Sequence, residues 1–353
     1  MSAPVVDWVF SEWIAGQVAG RGDSAAAASS GIDLRPLAAD AERRVVAYTG
    51  LQPSGPIPDP EGVSRREWVA SNVASTKAMM EPLLDAASEK LGPAKNVGRL
   101  WLGAVTSAEV GLLIGYMAQR VLGQYELSLI KPIETEDQEP RLLFVLPNLD
   151  EAVRRFDADD LEFVTWVTLH EVTHAVQFGG VPWLRDYLAG LIKELMDSAQ
   201  SRMERRALHV PKLDELKRLG KAVLHFDMLG LVTTEAERDV IDRAQAAMAV
   251  IEGHAEHVMD AVAPELLPSL PKLRESLDKR RKHPKGLTKY VNRLLGMEMK
   301  LRQYEHGKTF CDAIVAAAGP DALRHVFHAP ESLPTLAEIE DPAAWMARCL
   351  TDF

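Results

Sequence analysis

The sequence predicts an α+β fold, predominantly helical, with a small sheet just before one strongly apolar helix. Three observations predict it. Apolar residues recur at helical spacing over most of the chain. Arg141-Leu-Leu-Phe-Val-Leu is rich in strand formers and is closed by Pro147. Asp159 or Asp160 then caps an apolar helix that runs through Phe178 and stops at Gly179-Gly180.

The elements follow in order. Residues 5–20 suit a short helix, and the small-residue stretch Gly20 to Gly31 reads as a flexible connection. Residues 35–48 suit a second helix. Gly50 to Pro60 is dense in Pro and Gly and reads as a loop. Ser64 to Leu91 predicts one long helix or two shorter ones. Glu109 to Gln124 predicts an apolar helix in which Gly111 and Gly115, four apart, allow tight packing of another element. Besides 141–146, Leu127 to Ile130 is the best strand candidate. Helices are expected at 183–206 and 212–226. Thr234 with Glu237 forms a capping-box pattern that opens a helix to about Val262. Residues 266–353 read as mostly helical with a Pro-marked tail, and there is no internal repeat.

Composition narrows the function. The 353 residues are 47% hydrophobic, enough for a sizeable core. The net charge of -11 disfavours phosphate backbones, so no nucleic-acid partner is expected. The run Lys279 to Lys285 is the one basic exception. It could anchor an acidic substrate, although a solvated loop is the simpler reading. Cys311 and Cys349 lack metal-site spacing and read as two reduced thiols. The longest apolar run, Val110 to Ala118, is far short of a membrane span. The first basic residue is Arg21, unlike a secretory leader, so a cytoplasmic location with no membrane partner is expected.

The chemistry lies in His170-Glu171-Val172-Thr173-His174. Residues four apart on a helix sit one turn above each other, so two imidazoles can converge on one tetrahedral ion. Glu171 then lies beside the ion, placed to take a proton from metal-bound water. Two His and a Glu within the apolar run Phe163 to Phe178 would be costly unless satisfied. One zinc ion held by His170 and His174, with Glu171 as general base, is the expectation.

A third ligand is required. Glu252 and Glu256 are four apart on one predicted helix, on a side that also carries Met248, Ala255 and Met259. Glu252 is assigned as the third ligand. Glu256, one turn on, would accept a hydrogen bond from the far nitrogen of a ligand histidine. Glu194, 20 residues after His174, is the rival carboxylate. His254 and His257 point roughly 200° and 140° away from Glu252 around the helix. Tyr304, His254 and Tyr187 are candidate donors to an oxyanion.

These motifs resemble the zincin-like metallopeptidase type 2 family, some of whose members are labelled as associated with biosynthesis of a deazaflavin coenzyme. The resemblance rests on Tyr48-Thr-Gly-Leu, Val121-Leu-Gly-Gln-Tyr125, His170 to Phe178 with Pro182-Trp-Leu, Ile251 to Asp260, and Gln303-Tyr304 through Gly307. It implies a zincin-like fold filling one extended domain over 1–353. An N-terminal helical part would take about 1–95, a metal-site core about 96–265, and a C-terminal helical part about 266–353. Other zincin patterns fit less well. The thermolysin-like pattern wants an Asn before Glu194 and an Asp four after it, the metzincin pattern a His at position 180, and the aminopeptidase pattern a Glu at position 193. The chain has Lys193, Met196-Asp197-Ser198 and Gly180.

Three functions are weighed. The first is a zinc-dependent hydrolase acting on a peptide or small amide substrate. The second is a catalytically silent metal-binding scaffold that keeps the fold, against which the intact Glu171 argues. The third is an enzyme or regulator linked to the deazaflavin coenzyme, although no Gly-rich dinucleotide fingerprint is present.

Overall fold

The computed structural model describes residues 6–20, 31–90, 96–126, 139–207, 234–264, 266–268 and 297–350. The expected strand at Leu127–Ile130, the helix at 212–226 and the basic run Lys279–Lys285 lie outside the described residues, as does most of the connection at 20–31.

The chain folds into two compact units. One comprises Met1–Arg43 with Pro56–Ala175, and the other Arg44–Gly55 with Val176–Phe353. In chain order the elements are α1 (Trp8–Ala19), α2 (Leu34–Thr49), β1 (Pro60–Val63), α3 (Arg65–Lys90), α4 (Asn96–Ala118), β2 (Gly123–Glu126), β3 (Arg141–Val145), α5 (Leu146–Phe156) and α6 (Asp160–Gly180). They continue with α7 (Pro182–Ala207), α8 (Glu235–Val262), α9 (Met297–Ala318), α10 (Pro320–Arg324), α11 (Leu336–Glu340) and α12 (Pro342–Cys349). The described chain is thus predominantly helical with a small sheet, the predicted α+β class. No described helix is long and apolar enough to cross a membrane.

The first unit is built on a three-stranded sheet of order β1-β3-β2. β3 is central, parallel to β1 and antiparallel to β2. Its Leu142 to Val145 are wholly buried, which explains why its sequence lacks alternation. Trp68, Val69 and Val73 of α3 pack with Val63, Leu143 and Val145 and with Ile114 and Ala118 of α4. α1 lies tightly on α4: the Ser11 hydroxyl donates to the Ser107 carbonyl at 2.9 Å. A Cβ on Gly111 would meet the Ser11 carbonyl at 2.5 Å, and one on Gly115 would meet Val18 at 2.6 Å, so the pair serves close packing.

Local structure departs from expectation in three places. β1 is built from Pro-Glu-Gly-Val, poor strand formers held by pairing with β3. The apolar helix ends at Ala118, and the following Gly-Gln-Tyr-Glu forms edge strand β2. Strand β3 ends at Val145, two residues before Pro147. Pro147 sits in the first turn of α5, where its missing N–H costs nothing. Of the two candidate caps of α6, it is Asp159 that accepts from the Glu162 N–H, at 3.0 Å, while Asp160 is the first helical residue.

In the second unit α8 is the central helix. Its Thr234–Glu237 capping box is formed as predicted. Ile251, Ala255, Val258 and Met259 are buried, and so are Phe310 and Ile314 of α9 and Trp345 of α12. The α8–α9 crossing has no side chain between the backbones. A Cβ on Gly253 would lie 2.2 Å from the Gly307 carbonyl carbon, and one on Gly307 only 1.9 Å from the Ala249 carbonyl oxygen. Cys311 and Cys349 are both free thiols, and burial raises the Cys311 pKa.

Gly253→Ala must push α9 off α8 and is expected to cost about 3 kcal/mol, the upper range for overpacking. Gly190→Ala on α7, with nothing within 4 Å of its Cβ, should be neutral or stabilising by up to about 1 kcal/mol. Thermal unfolding of the two variants beside wild type measures the contrast.

Candidate metal centre

α6 presents His170 and His174 on one face, one turn apart. Their rings stand edge to face, with centroids 4.7 Å apart and planes at 88°. The two Nε2 atoms face each other at 3.2 Å. Two nitrogens on one tetrahedral zinc, each at about 2.0–2.1 Å, would be about 3.3 Å apart. The pair is therefore already spaced for a single ion. His174 is only 8% exposed, so its polarity is held inside the fold.

Glu171 is equally buried, and the sheet edge orients it. The outward N–H of Tyr125 on β2 donates to Glu171 Oε2 at 3.0 Å. Gly123, two residues earlier, makes room: a Cβ there would lie 2.6 Å from Glu171 Cγ. Thr173, the fourth residue of the motif, returns its hydroxyl to the Leu169 carbonyl at 2.7 Å. The first unit thus supplies two convergent imidazoles and one pinned, acceptor-only carboxylate.

Helix α8 lies in the second unit. Glu252 and Glu256 are both half-buried on it. His254 is buried. Its Nδ1 accepts from the Gln177 side-chain amide at 2.8 Å, so the ring proton lies on Nε2. The same amide donates to the Ile251 carbonyl at 2.9 Å, and Phe327 packs edge-on against the imidazole. His257 belongs to a separate chain of hydrogen bonds. Its Nδ1–H donates to Asp312 Oδ1 at 2.6 Å, and its Nε2 is hydrogen-bonded to the Tyr48 hydroxyl at 2.8 Å. Lys308 bridges Asp312 and Asp260 at 2.5 and 3.1 Å. Burial works to raise the Asp312 pKa, but the bonds from His257 and Lys308 outweigh it and hold the carboxyl below its usual range. Burial, then the Asp312 charge, pushes the Tyr48 phenol up.

Glu194 is half exposed and paired with Arg243 at 2.6 Å. Tyr187 stands edge-on to Trp183, and burial raises its pKa. Tyr304 is carried by α9, and its side chain lies outside the described residues. Motif spacing alone did not single out Tyr125, Gly123, Gln177, Tyr48, Asp312 or Lys308. The signals available were the 121–125 and 48–51 blocks and the i,i+4 pair Lys308–Asp312.

The chain matches the model of a family described as zincin-like metallopeptidase over residues 6–346. It is also similar to a solved structure described as a candidate hydrolase with a novel fold, from Chloroflexus aurantiacus. The two share 28% identity at a TM-score of 0.71, over 99% of this chain and 100% of that one. No curated protein matches. With a family match over nearly its whole length, an H-E-x-x-H helix behind a small sheet, and two imidazoles converging on one point, the chain belongs to the zincin-like metallopeptidases.

Proposed function

We propose that the protein is a zinc-dependent hydrolase that cleaves a peptide or other amide bond, with Glu171 as general base. The observation that carries this is the 3.2 Å approach of the two ligand-type nitrogens beside a buried carboxylate fixed by a backbone N–H. A structural metal needs no such base. One zinc would be held by His170, His174 and Glu252, two nitrogens and one oxygen, a ligand set of the hydrolytic type. Support for Glu252 is that His170, His174 and Glu252 each offer a ligand atom within 4.8 Å of the others. Glu194 has an arginine partner instead.

When bound, zinc would supply a Lewis acid for the scissile carbonyl and lower the pKa of a water towards about 7. The protein's own residues do the rest. Glu171 takes a proton from that water and passes it to the leaving amine. The Tyr125 N–H keeps the carboxylate from rotating away. Glu256 is assigned the far nitrogen of a ligand histidine, fixing its tautomer. His254, with its proton on Nε2, and Tyr304 are candidate donors to the tetrahedral oxyanion.

Elemental analysis of purified protein should find one zinc per chain. Glu252→Ala should lose it and Glu194→Ala should keep it; the reverse pattern would exchange the third ligand. Glu171→Gln should retain the metal while turnover of a peptide and amide panel falls by about 10²–10⁴-fold. Full activity in that variant would leave the general-base role without support. Gly123→Ala, which presses on Glu171, should lower turnover by about 10²-fold at unchanged zinc content.

A further inference from the structure

α1 and the second half of α4 carry apolar residues on their exposed as well as their buried sides. Glu12 is the one charged residue of α1, and Glu109 the one charge of α4 between 103 and 118. Helices of that kind belong in interiors. Yet Val9 is 80% and Trp13 60% exposed, and Phe10, Leu112, Leu113 and Met117 are exposed as well. Phe10 and Trp13 stack on each other at 6.0 Å. Beside them, between α1 and α3, runs an open cleft of about 370 Å³ lined by Val9, Trp13, Gly16 and Val69, with the polar Glu12, Gln17 and Arg66. Gly16 keeps it open, since no atom lies within 4 Å of where its Cβ would be.

We propose that this face of the first unit is a self-association surface, on which a second copy of the chain docks about a two-fold axis. A two-fold contact needs a patch complementary to itself. This one pairs the exposed Trp13 with the cleft it borders, whose apolar wall is Val9, Gly16 and Val69, so Trp13 of each copy can enter the cleft of the other. It also carries opposite charges, so Glu12 of one copy faces Arg66 of the other, and both pairs form at once. Exposed aromatics and Met, with little charge, are the composition of an interface centre. A lipid surface fits less well, because helices that lie on membranes carry Lys or Arg on their polar face and α1 has none.

The test is sedimentation velocity on the full chain, with circular dichroism as a folding control. Wild type should sediment at about twice the 38.9 kDa chain mass. Trp13→Ser, and Gly16→Leu, which fills the cleft, should each weaken the dimer at least about tenfold. Glu12→Arg should weaken it too, and the swap Glu12→Arg with Arg66→Glu should restore it. A wild type that stays monomeric up to about 100 µM overturns the proposal. So does a dimer indifferent to Trp13→Ser and Gly16→Leu, or one the charge swap fails to rescue. A monomer that co-pellets with phosphatidylcholine vesicles would also overturn it, in favour of lipid.

Discussion

Helix α6 is apolar along most of its length and yet carries two imidazoles and a carboxylate on buried turns. That burden constrains the structure around it. A buried polar group without a partner costs about 1–3 kcal/mol, and a charged one more. The surrounding elements therefore exist partly as partners. β2 lies at the sheet edge, where the outward N–H of Tyr125 is available to Glu171. Gly123 stands where any side chain would collide with that carboxylate. The two imidazoles face each other at the separation that two ligands of one ion require. A helix that only needed to be buried would require none of this.

The second unit answers a different problem, which is to carry several ionisable groups on one half-buried helix. α8 holds Glu252, His254, Glu256, His257 and Asp260 within nine residues. Its histidines are each tied into a separate network. Gln177 and Phe327 fix His254, while Tyr48 and Asp312 fix His257 from opposite ends of its ring. The close Gly253–Gly307 crossing removes the freedom of α8 to slide against α9. Rotation and position of the helix are thus set beside the carboxylate proposed as a ligand.

Expectation and structure diverge where neighbours outweigh local preference. Pro147 ends strand-like sequence yet begins α5, because proline suits the first turn of a helix as well as it suits a loop. β1 has almost no strand propensity and forms because β3 offers it an unpaired edge. His257, which points away from Glu252 around α8 as expected, has its ring used at both nitrogens by Tyr48, 209 residues earlier, and Asp312, 55 residues later, partners that no local pattern indicates.

The sequence by itself determined the helical class, the cap and stop of α6, the capping box of α8, and the pairing of His170 with His174. All of these depend on residues within about four positions of each other, where helix geometry alone fixes what meets what. Tertiary structure alone decided what holds Glu171, why glycine stands at 123, 253 and 307, and which groups occupy His254 and His257. Those partners are separated by tens to hundreds of residues, and their meeting depends on how strands pair and helices cross, which no local pattern encodes.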